Sequence, residues 1–165
     1  MELFALEKYV RNAEAAFERD EYPEGISLLQ EALAIEPNYS KAHNHLGWAY
    51  LFKVNDIETA EKHLRYALSN GSVYGPAFIH MSHILFNKGK YGEFADLLNK
   101  ALMHGGVERS FIYNELGRMF ETKRQFRKAI ANYKNALALS FDDTEIRTIK
   151  ENIHRCRQKR WMLMF

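Results

Sequence analysis

The sequence predicts an all-α solenoid of four antiparallel helix pairs closed by a ninth helix, and three observations predict it. Residues recur at a period near 34: Gly25, Ala60, Phe94 and Ala129 are spaced 35, 34 and 35 apart. The same three spacings hold for Leu29, Leu64, Leu98 and Tyr133, for Ala32, Ala67, Ala101 and Ala136, and for Tyr22, Ile57, Tyr91 and Phe126. A further column, Ala13, Gly47, Ser82 and Gly117, runs 34, 35 and 35. Within each period the apolar residues fall at helical spacing, as with His43, Leu46, Gly47 and Tyr50 at i, i+3, i+4 and i+7. Several columns hold small residues, which helices need where they cross closely. A helical period of this length marks stacked supersecondary units, and such stacks usually work as binding surfaces.

The predicted repeats span residues 6–39, 40–74, 75–109 and 110–143, followed by a capping helix over 144–160 and an apolar tail over 161–165, within one domain of residues 1–165. In the first repeat Pro23 opens the second helix, where a missing N–H costs little. That helix ends at Ala34-Ile35-Glu36-Pro37-Asn38, and Ser40 is read as the cap of the next. In the second repeat Asn55 and Asp56 form the turn and Asp56 caps a helix whose apolar face is Ile57, Ala60, Leu64, Ala67 and Leu68. Asn70-Gly71-Ser72 breaks that helix. The third repeat departs most, with Met81-Ser82 and with Phe94 in a small-residue column. The fourth runs from Leu116-Gly117 through Phe126, Ala129, Tyr133 and Ala136. One extra residue is expected in the turn around Lys53–Asp56 and one in the linker Gly105–Arg109, both places where insertion is cheap. Asp142 followed by Glu145 resembles a capping box for the last helix, whose stripe is Ile146, Ile149 and Ile153.

Composition excludes more than it identifies. The single cysteine, Cys156, allows no intramolecular disulfide, and the N-terminal residues lack a secretory signal. No apolar run approaches the ~20 residues that span a bilayer, so a cytoplasmic protein is expected. The chain lacks H-E-x-x-H, phosphate-loop, dinucleotide-binding and nucleophile-elbow motifs, so no enzyme activity, cofactor or metal is expected. Residues 1–60 carry 11 acidic and 5 basic side chains, a net of −6, and residues 61–165 carry 10 and 18, a net of +8. Such a dipole orients a partner or favours head-to-tail contact. At the C-terminus Arg155, Arg157, Lys159 and Arg160 precede Trp161, Met162, Leu163, Met164 and Phe165. This tail either folds back onto the last repeat or serves as a docking or self-association contact.

The columns resemble the tetratricopeptide-repeat (TPR) family, most closely in Leu46-Gly47-x-Ala49-Tyr50 with Ala60, Leu64 and Ala67, and in Leu116-Gly117, Phe120, Phe126, Ala129, Tyr133 and Ala136. The resemblance implies a right-handed superhelix with a concave groove lined by the first helix of each repeat. The groove residues it implies are Asn44, His45, Trp48, Leu51 and Phe52, then Ile79, His80, His83 and Phe86, then Phe111, Asn114, Arg118 and Glu121, with Val10, Glu14 and Phe17 in the first repeat. Phe52 and Phe86 either line the groove or fold under against the next repeat. The Lys, Asn and Arg set of carboxylate-gripping TPR domains is missing from the matching positions. His45, His80 and His83 lack further ligands for zinc, and unperturbed imidazoles would make the groove pH-sensitive. The expected function is a non-catalytic module binding a peptide or helix of a partner protein. The alternatives are a small TPR chaperone or a structural protein that forms homo-oligomers through its tail. Nucleic acid is not an expected partner, because the basic residues lack interleaved aromatics.

Overall fold

The computed structural model describes residues 2–69 and 74–163. The breaker at Asn70-Gly71-Ser72 and the tail residues Met164 and Phe165 lie outside the described residues. Among those described there are nine α-helices and no strand: α1 (Glu2–Glu18), α2 (Tyr22–Ile35), α3 (Ser40–Ala49), α4 (Ile57–Ser69), α5 (Pro76–Asn87), α6 (Tyr91–His104), α7 (Arg109–Thr122), α8 (Phe126–Leu139) and α9 (Asp143–Met162). A π-helical turn, Tyr50–Val54, prolongs α3. The chain divides into two compact units, Met1–Ile84 and Leu85–Phe165. In the first, α1 pairs with α2, α3 with α4, and α2 packs on α3; in the second, α7 pairs with α8, α6 packs on α7 and α8 on α9.

The periodic columns are the packing surfaces. Ala32, Ala67, Ala101 and Ala136 are fully buried, as are Leu29, Leu64, Leu98, Phe94, Ala60 and Ala129. Glycine is needed where a helix receives a side chain from its partner. A Cβ on Gly47 would sit 2.6 Å from Leu64 Cγ, and one on Gly117 would sit 2.6 Å from Tyr133 Cδ1. Gly25 likewise leaves room for the ring of Phe17, which a Cβ there would strike. Phe94, at the same column as Gly25, packs edge-to-face on Phe86 with ring centroids 5.5 Å apart. In the second unit Tyr133 joins Phe126, Ile149, Ile153 and Cys156 in one core. The thiol of Cys156 is pushed up to about 12 by that burial.

The turns inside the repeats are also a column. Asp20, Asn55, Gly89 and Arg124 all have positive φ, at 60°, 61°, 70° and 57°. The residue after three of them donates its N–H five residues back: Glu21 to Ala16 O (2.9 Å), Lys90 to Leu85 O (2.9 Å) and Gln125 to Phe120 O (2.8 Å). This is the Schellman closure of a helix C-terminus. In the second repeat the bond from the Asp56 N–H reaches six residues back, to Tyr50 O at 2.9 Å. The extra residue expected in the Lys53–Asp56 turn is therefore absorbed in the wider π turn at the end of α3.

Three local expectations change. Ser40 is the first residue of α3 rather than its cap; Tyr39 holds the cap position, and the buried Ser40 Oγ has no partner. Asp56 does accept from the Thr59 N–H (3.1 Å) and Asp142 from the Glu145 N–H (2.8 Å), as capping requires. Ile57 is 42% exposed, so the apolar face of α4 is carried by Ala60, Leu64 and Ala67. The last helix does not stop at 160 but runs to Met162, and Trp161, Met162 and Leu163 are 64, 67 and 62% exposed.

Gly117→Ala should cost about 1–3 kcal/mol through overpacking against Tyr133. Gly92→Ala, where the new methyl meets nothing within 4 Å, should be neutral or stabilising by at most about 1 kcal/mol. Urea midpoints of the two variants against wild type measure the contrast.

Candidate functional site

In each unit a cleft opens against residues of the first helices. In the first unit, Glu14 and Phe17 on α1, Asn44, His45 and Trp48 on α3, and Tyr74, Pro76 and His80 at the start of α5 line a cleft of about 350 Å³. Trp48 is half-buried, its ring 5.3 Å from Phe17 and 6.5 Å from Phe52. Lys53 lies over both Trp48 and Tyr22, at 5.6 and 4.8 Å from the ring centres. Phe52 is 47% exposed and leans on His83 and His80 at 5.4 and 6.1 Å. The π turn gives each residue less rotation than an α-helix does, and Leu51 and Phe52 lie within it.

Burial keeps the cleft's histidines, His45 and His80, neutral. The His80 Nδ1–H donates to Asn44 Oδ1 at 2.9 Å, which consumes the buried amide oxygen. Burial, with His45 and His83 nearby, takes the His80 imidazole down to about 4. Burial and the charge of Lys41 take His45 to about 4 as well. His45 Nε2 stands 3.2 Å from Glu14 Oε1, yet the two are not aligned and the buried nitrogen has no hydrogen bond. The expected titration of these groups near neutrality is thus corrected by desolvation. A second imidazole pair sits where α3 meets α4. The His43 Nε2–H donates to Pro37 O (2.9 Å), leaving its Nδ1 to accept from the His63 Nδ1–H (2.9 Å). Burial lowers both pKa values, that of His63 to about 4.

In the second unit, Phe86 near the end of α5 and Arg118 on α7 meet, the guanidinium carbon 3.8 Å from the ring centre. Arg118 also donates to the buried Glu115 carboxylate. Burial raises the carboxyl pKa of Glu115 against the opposing pull of Arg118. Asn114 Oδ1 and Arg118 Nε, one helical turn apart, are buried without hydrogen-bond partners. Below them opens a cleft of about 750 Å³ reaching Glu121, Arg124, Arg155 and Lys159. Glu121 ties three helices: Arg155 donates to both its oxygens (2.8 Å each), Lys159 to one (2.8 Å) and the Tyr133 hydroxyl to the other (3.0 Å). These donors bring its carboxyl down to about 2. The Glu7 carboxylate plays the matching part between α1 and α3, accepting from Lys41 (2.8 Å) and from the Tyr39 hydroxyl.

Of the groove residues expected from sequence, Asn44, His45, Trp48 and His80 line one cleft and Phe86 and Arg118 the other. Phe52, Ile79 and His83 are exposed, while Phe111 and Asn114 are half-buried. Leu51 and Val10 are corrected: at 9 and 0% exposed they belong to the core, while Glu14 and Phe17 line the first cleft and Glu121 the second. Sequence reasoning missed the ties through Glu7 and Glu121. Their signal was present, since Glu7 to Lys41 and Glu121 to Arg155 are each 34 residues apart, one repeat period. Among the described residues no group of three or more His, Cys, Asp or Glu could hold a metal ion, and no helix is long and apolar enough to cross a membrane.

Two tetratricopeptide-repeat family models match, over residues 28–62 and 112–143. No curated protein matches the chain in sequence. Among solved structures, PilF of Pseudomonas aeruginosa superposes with a TM-score of 0.79 at 19% identity, covering 96% of this chain and 74% of that one. MamA superposes at 0.75 with 15% identity, covering 94% and 82%. YrrB, described as a TPR protein with an unusual peptide-binding site, superposes at 0.67 with 15% identity, covering 92% and 80%. At these identities the likeness establishes a shared all-α TPR solenoid fold.

For His45, His63 and His80 the folded-state pKa is depressed to about 4, below the roughly 6.5 of the unfolded chain. The unfolded chain therefore binds more protons, and stability is lost as pH falls below about 6.5 toward 4, by about 1–2 kcal/mol per histidine between pH 7 and 5. Urea melts at pH 7 and 5 measure the loss, and imidazole NMR shifts locate the individual midpoints. Glu121→Ala should cost about 1–3 kcal/mol and leave Arg155 and Lys159 without their acceptor. The loss should shrink as pH falls from about 4.5, where the unfolded chain's carboxyl takes up its proton, toward about 2, where the folded one does.

Proposed function

We propose, the chain being a tetratricopeptide-repeat protein, that it is a non-catalytic interaction module holding a peptide or helix of a partner protein against the inner faces of its first helices. The observation that carries this reading is the first unit's cleft. It joins an aromatic floor, Phe17 and Trp48, to a buried His45 Nε2 that has no hydrogen bond. A half-buried tryptophan in a preformed cleft is the kind of anchor that dominates protein interfaces. An orphaned imidazole nitrogen, neutral at physiological pH, is ready to pair with a backbone or side-chain group of a ligand. Glu14 and Glu18 at the cleft wall favour a ligand that brings a lysine or arginine. The peptide-binding description of YrrB supports the same use of the fold.

Phe52, Ile79 and His83 extend this surface in the first unit; Phe86, Phe111, Asn114 and Arg118 supply a second contact region in the other. In a pull-down from native lysate, Trp48→Ala should lose the partner that wild type captures while circular dichroism stays helical. A titration with the captured segment should then show a loss of about 2 kcal/mol or more, roughly thirtyfold. Equal capture by both proteins would remove the cleft from the binding surface.

A further inference from the structure

The second unit carries a surface that the Trp48 cleft does not use. The cleft of about 750 Å³ presents Arg118, Arg124, Arg155 and Lys159. Its one carboxylate, Glu121, is already taken by Arg155, Lys159 and Tyr133. A neighbouring cleft of about 490 Å³ shares Arg124 and Leu163 and adds Arg127, Lys128 and Arg160, with no acid in its lining. The rim is apolar: Met162 and Leu163 are 67 and 62% exposed. An occupant must therefore be acidic and apolar together, which a phosphate backbone is not.

The chain itself carries a segment of that description. Residues 1–36, which include α1 and α2, hold nine acidic and three basic side chains, a net of −6. Residues 109–165, which include α7 to α9, hold six acidic and 13 basic, a net of +7. The first turn of α1 displays Leu3 and Phe4 at 66 and 74% exposure. We propose that the basic, apolar clefts at Arg124 and Leu163 receive the acidic first helix pair of a second copy of this chain, with Leu3 and Phe4 seated against Met162 and Leu163. The contact is head-to-tail. The dimer keeps one surface of each kind unused, a head on one copy and a cleft on the other, so association continues past the dimer unless the geometry closes a ring. Because the attraction joins exposed charges, salt weakens it.

Light scattering over a concentration series tests this with two blocked proteins. Leu3→Ser/Phe4→Asp removes the head; Asp in the first turn of a helix suits the dipole. Arg124→Asp/Leu163→Ser removes the cleft; Asp tolerates the left-handed backbone that Arg124 occupies. Circular dichroism verifies that both stay helical. Wild type should grow in mass beyond a dimer as concentration rises at low salt and return to monomer at high salt. Each blocked protein should stay monomeric. Their equimolar mixture should form a dimer of twice the monomer mass and stop there, since the remaining surfaces are both blocked. A wild type that is monomeric throughout overturns the proposal, and so does a mixture that stays monomeric. Blocked proteins that still associate also overturn it, as would an isologous tail-to-tail dimer insensitive to Leu3 and Phe4. Wild type that stays monomeric but binds a single-stranded oligonucleotide through Arg124 would assign the basic surface to nucleic acid instead.

Discussion

The close crossing of paired helices is the constraint on which the rest depends. At Gly47 and Gly117 one helix gives up its side chain so that Leu64 or Tyr133 from the partner can lie against its backbone. Interiors pack at near-crystalline density, so a single added methyl at such a point has nowhere to go. Tyr133 shows how much follows from one admission. Filling the space left by Gly117 brings its ring into the core with Ile149 and Ile153, and its hydroxyl to the Glu121 carboxylate. The same side chain thus joins the apolar packing of α8 to the polar tie among α7, α8 and α9.

Those polar ties divide the labour with the core. Glu7 and Glu121 each bridge successive first-type helices at a distance of one repeat, and each is satisfied by two or more donors. A carboxylate so supplied keeps its charge and fixes which helix lies next to which, while the apolar columns supply most of the burial. The contrast with His45 Nε2, Asn114 Oδ1 and Arg118 Nε is instructive. These atoms lie on the inner faces of α3 and α7, are buried, and have no hydrogen bond. Apart from Ser40 Oγ at the start of α3, these are the buried side-chain polar atoms without a partner among the described residues, and the proposed module offers them to its ligand.

Much of the fold was legible because its small and apolar columns are dictated by packing, which acts through residue size and so leaves a mark in residue type. Ala32, Ala67, Ala101 and Ala136 are alike because they meet alike surroundings. The turn column was hidden because the left-handed conformation is shared by Asp20, Asn55, Gly89 and Arg124, four residue types with no common chemistry. Ser40 was misread because hydroxyl caps and buried first-turn serines look the same in sequence. The sites were half legible for a related reason. Aromatic stripes at helical spacing announced Trp48 and Phe52, but Leu51 differs from them only in which way a widened turn points it. Desolvation of His45 and His80 depends on neighbours a full repeat away, which no local pattern records.

The π turn at Tyr50–Val54 carries a consequence for how such a chain can diversify. A repeat array resembles a ruled scale, in which a residue's count from the start of its repeat tells which surface it serves. Length changes confined to loops leave that scale intact. Here the additional residue sits within the helical hydrogen bonding itself, and the αL closure at Asn55 resets the count before α4 begins. Every graduation of α4 is thereby preserved, while the few residues inside the widened turn are free to be reassigned. One inserted residue can thus redirect a single aromatic side chain without disturbing the stacking of any later helix, a smaller evolutionary step than replacing a whole repeat.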